Sequence, residues 1–170
     1  FSDSIIIFSK SDEFKDAVKI IADAFMIHKL AIDYGIPLKG AFSFGQITID
    51  FERSLFFGQP IIDAYLLHED LQMLTIIADH NFEVKVSSIE DLKKGFPNLF
   101  VDYKTNLKSG KITHKVAILG NNEQIQDQII ATKKLYNTVS GRPRIYIDNT
   151  IDFLNYSLKT MKNSGQAQEQ

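Results

Sequence analysis

A chain of 170 residues that is 44% hydrophobic has the length and apolar content for one domain with a buried core, and its length argues against two. A formal net charge of -2 with only three arginines removes the electrostatic case for tracking nucleic acid or an anionic membrane surface, which needs clustered cations. The absence of cysteine excludes a disulfide frame or thiolate metal site and leads us to expect a reducing, cytoplasmic setting.

In chain order, Phe1-Ser2-Asp3-Ser4 reads as a polar turn and Ile5-Ile6-Ile7-Phe8 as a strand buried on both faces, since the run is apolar and mostly β-branched. No run approaches the roughly 18–20 apolar residues that span a bilayer, and no basic-then-apolar leader opens the chain. An apolar strand so soon after a first residue that is not Met leads us to expect that the natural start lies upstream of Phe1.

Ser11-Asp12-Glu13 supplies an N-cap and early acids. Phe14, Val18, Ile21, Phe25, His28 and Ala31 then recur at helical spacing until Tyr34-Gly35-Ile36-Pro37 ends a long amphipathic helix. From Lys39 to Asp50 the pattern alternates, with Phe42 and Phe44 on one parity and Ile47 and Ile49 on the other, which calls for a β-bulge at Gly45. Ser54 to Phe57 forms a second arm. Gly58-Gln59-Pro60 opens a helix to Leu71, with Ile61, Ala64, Tyr65, Leu67 and Leu71 as its buried stripe.

Leu74 to Ala78 continues that helix or forms a strand, and periodicity leaves both open. Phe82 to Val86 reads as extended and Ser88 to Lys93 as a helical turn. Leu99 to Leu107 and Lys111 to Leu119 flank the hairpin signal Lys108-Ser109-Gly110. Asn121 to Tyr136 and Ile147 to Met161 read as helices separated by Ser140-Gly141-Arg142-Pro143. We expect residues 1–162 to form one domain, incomplete at its N-terminus, and 163–170 a polar, disordered tail. The order strand, helix, hairpin, helix, hairpin, helices predicts an α+β fold, a ferredoxin-like mixed sheet with helices on one face.

Asp3 sits at the lip of the first predicted strand, where a carboxylate suits a hard cation facing a triphosphate; the alternative is an Asx-turn residue. Lys39 at a strand start is either a phosphate contact or a solvated cation. His28 falls on the apolar helix face and reads as a core residue. His68-Glu69 lacks the second histidine of a zinc helix. Arg142-Pro143-Arg144 either meets an anion or is a solvated loop.

Taken together, the aspartate turn and apolar strand, the long helix, Lys39-Gly40-Ala41-Phe42-Ser43-Phe44-Gly45 and the helix led by Phe57-Gly58-Gln59-Pro60 resemble the class III nucleotide cyclase domain across roughly residues 1 to 70. The match is similar to the divergent bacterial branch that includes the pyrimidine cyclases of antiphage defence.

The resemblance implies a lyase that forms a 3',5'-cyclic nucleotide and pyrophosphate from a nucleoside triphosphate, as a homodimer using two Mg²⁺ or Mn²⁺ ions. It implies that Asp3 is one of two metal aspartates, the other lying ahead of Phe1, and that Ser4 and Lys39 bind the nucleotide. Lys stands where the family has Arg, so it acts as a point charge rather than a fork. No nucleic-acid or membrane partner is implied.

Three further positions depart from the family. The transition-state asparagine and arginine fall on Ile62 and Leu66, and the purine-selecting acid falls on Leu55, which tilts the expected substrate toward a pyrimidine triphosphate. Arg53 is the candidate replacement donor, against the plainer reading of a solvated hairpin-tip arginine. Two functions remain open: an enzyme, which we favour, and a degenerate cyclase-like module that binds nucleotide or dimerises without turnover.

Overall fold

The computed structural model describes residues 4–95, 99–118 and 120–166. Its elements are α1 (Phe14–Asp33), β1 (Gly40–Phe42), β2 (Thr48–Asp50), β3 (Leu55–Phe57), α2 (Gln59–Asp70), β4 (Ile76–Ala78), α3 (His80–Ser88), α4 (Glu90–Gly95), β5 (Phe100–Leu107), β6 (Gly110–Ala117), α5 (Asn122–Lys134) and α6 (Arg144–Gln166), with a short 3-10 turn after α5. The class is α+β with a mixed sheet. Four strands run in the order β1-β4-β6-β5, with β1 parallel to β4 and the other pairs antiparallel. The hairpin β2-β3 forms its own two-stranded sheet.

Strand β4 resolves the ambiguity over Leu74 to Ala78. All three of its residues are buried, which is why the segment reads as an unbroken apolar run and not as an alternation. Ile76 and Ala78 pack with Ile21 of α1 and with Phe82 and Val86 of α3. Ile77, on the opposite parity, packs with Val116, Ile125 of α5 and Phe153 of α6. The expectation of helices on one face is therefore corrected: α1 and α3 cover one face of the sheet, and α5 and α6 the other.

The helices start where local chemistry allows. Asp79 caps α3 by accepting from the Phe82 N–H, and this cap turns Phe82–Val86 into a helix where the sequence reading has an extended piece. Asn121 and Gln124 form a reciprocal capping box on α5. Helix α6 is tied to the chain entering β4. The Thr150 hydroxyl accepts from the buried Leu74 N–H at 2.7 Å, and Asn149 Nδ2 donates to the Gln72 carbonyl at 2.8 Å. Helix α6 extends to Gln166 and so takes in the first residues of the predicted tail; residues 167–170 lie outside the described residues.

Two further expectations change. Ile5–Phe8 belongs to no strand or helix, and Ile5 and Ile6 are 67% and 47% exposed. A strand buried on both faces needs a neighbour to satisfy its backbone, and no described strand pairs with this run. The predicted bulge at Gly45 is instead a full break between β1 and β2, which belong to different sheets. Among the described residues, no helix is long and apolar enough to cross a membrane.

Candidate functional site

The residues that carry the cyclase resemblance meet where β1, the β2-β3 hairpin and α2 converge. Two glycines set this junction. A Cβ on Gly45 would lie 2.8 Å from Pro60 Cγ, and one on Gly58 would lie 2.7 Å from the Gln46 carbonyl oxygen. Both residues have positive φ as well, +158° and +151°, so each position excludes a side chain by space and by backbone conformation. The outgoing chain after β1 and the incoming chain before α2 thus touch backbone to backbone, and the hairpin projects from that contact.

Lys39 precedes β1 and points its ammonium at the end of α2. Nζ donates to the carbonyls of His68 at 2.7 Å and Leu71 at 3.1 Å, with Glu69 O at 3.5 Å. It also sits 5.5 Å from the Tyr146 ring centre. The last carbonyls of a helix have no partner within the helix and carry the negative end of its dipole, so a cation there both caps and neutralises. Burial, then the nearby Lys108, holds the Lys39 pKa below the ordinary lysine value. An ammonium has three donors, and here three carbonyl oxygens face it. A phosphate reaching Lys39 takes a donor away from α2.

Of the other predicted site residues, Ser4 and Arg53 fall among the described ones. Asp3 lies outside the described residues. Ser4 is exposed and lies on the rim of a cavity of about 500 Å³, whose walls also include Lys39. Arg53 is at the hairpin turn, its side chain 78% exposed and 3.7 Å from Asp50. Ile62 and Leu66 are one turn apart on α2 and 52% and 59% exposed, and no residue of α2 is buried. Of the predicted stripe only Leu71 is fully enclosed, and it is the residue that closes the helix. Among the described residues, no group of three or more His, Asp or Glu side chains comes together to hold a metal ion.

The link between Ser43 and Asp79 escaped the sequence reading. Ser43 donates to the Asp79 carboxylate, whose other oxygen caps α3, so one buried acid ties the end of β1 to the start of a helix. The signal was present as Asp79 four residues before Glu83, an N-cap followed by a first-turn acid. His28, read as a core residue, is buried: its Nε2 lies 3.2 Å from the Leu74 carbonyl oxygen. That oxygen only accepts, so Nε2 carries the proton. Nδ1 is buried without a hydrogen-bond partner among the described residues. Burial lowers the His28 pKa to about 4, with the Leu74 and Leu38 carbonyls pulling the other way, so the ring is neutral at pH 7.

No family model, curated protein or solved structure matches this chain.

Proposed function

We propose that the chain is part of a nucleotide cyclase domain of the class III type, acting on a nucleoside triphosphate with a preference for a pyrimidine base. The reaction is attack of the 3'-hydroxyl oxygen on the α-phosphorus of the same nucleotide. The hydroxyl loses its proton, the bond to the β-phosphate oxygen breaks, and the products are a 3',5'-cyclic nucleotide and pyrophosphate. The observation that carries this reading is the pair Gly45 and Gly58. The resemblance requires a glycine at the end of the basic strand and another at the head of the following helix, and these are positions where a Cβ would collide with Pro60 and with the Gln46 backbone.

The metal pair implied by the resemblance finds no complete ligand set among the described residues, and on this reading it depends on Asp3. Lys39 then divides between capping α2 and meeting the triphosphate. A homodimer belongs to the same proposal. The hairpin and α2 leave Phe51, Leu55, Phe56, Phe57, Ile62 and Leu66 exposed, a concentration of large apolar groups typical of association surfaces.

A second reading is favoured by Ile62 and Leu66 themselves. Apolar side chains stabilise no charge on phosphorus and suit a protein contact, so the module would dimerise or hold nucleotide without turnover. Incubating the protein with each of the four nucleoside triphosphates and Mg²⁺ or Mn²⁺ separates the two. Pyrophosphate release supports the cyclase. A nucleotide-dependent rise in Tm without pyrophosphate supports the silent module.

A further inference from the structure

We draw no further inference here: the strongest candidate, the largely apolar cavity of about 500 Å³ between the outer edge of β1, α1, α2 and segment 4–9, is an open sheet-edge cleft, and nothing in the structure shows what covers it.

Discussion

Gly58 lies against Gln46 so closely that an added Cβ would sit 2.7 Å from the Gln46 carbonyl oxygen and 3.0 Å from the Ile47 Cα. Backbone atoms cannot move aside as a flexible side chain does. Gly58→Ala is therefore expected to cost about 3 kcal/mol, from the clash and from a backbone conformation disfavoured for alanine. Gly110 also has positive φ, at +138°, but has open space around it, so Gly110→Ala should cost only roughly 1 kcal/mol. Urea denaturation of the two variants checks the order; equal losses would mean that backbone conformation, and not the contact with Gln46, sets the cost at Gly58.

Lys39 should matter to the fold without any nucleotide. Its ammonium faces three carbonyls at the end of α2, of which only His68 also accepts from the Leu71 N–H, at 3.3 Å, and Lys39→Met removes the cation from a half-buried place. The expected loss is about 2 kcal/mol, the scale of hydrogen bonds to a charged group. Thermal unfolding of the ligand-free protein measures it. A variant as stable as the parent would mean that water replaces the cap and that the residue is free for a phosphate.

His28 gives stability a pH dependence. Its folded pKa of about 4 lies below the ordinary 6.5, so the unfolded chain takes up the proton first as pH falls. The contribution of the neutral ring is complete above pH 6.5 and is lost progressively between 6.5 and 4. Its full size is roughly 3 kcal/mol, at about 1.4 kcal/mol per pH unit. His28→Leu should flatten the urea-midpoint profile over that window, even if the variant is less stable overall. A slope equal to the parent's would assign the acid sensitivity to other groups.

How much of this was legible beforehand depended on how local the deciding contact is. The β5-β6 hairpin follows from Lys108-Ser109-Gly110, and α1 from its apolar period, because neighbours in sequence determine both. Helix α3 was missed because Phe82, Val84 and Val86 favour a strand by type, while the Asp79 cap and packing against Phe42 decide for a helix. Ile5–Phe8 has the composition of a central strand, yet a strand exists only where another chain segment completes its hydrogen bonds. At the site, the charge of Lys39 is visible in the sequence; the carbonyls it faces, some 30 residues away, are not.

The exposed apolar face of α2 predicts association. In sedimentation at micromolar concentration the parent should run as a dimer. Leu66→Glu should run as a monomer with an unchanged far-ultraviolet spectrum, because Leu66 is exposed and its loss leaves the core intact. A monomeric parent would contradict the dimer proposal.

The most direct test of the cyclase reading is mass spectrometry of the product from UTP, CTP, ATP and GTP in the presence of Mn²⁺, with the parent and with Asp3→Ala. The account predicts a 3',5'-cyclic nucleotide from the parent, most abundant with a pyrimidine triphosphate, and at least a hundredfold less from the variant. No cyclic product from any of the four, or undiminished product from Asp3→Ala, would contradict it.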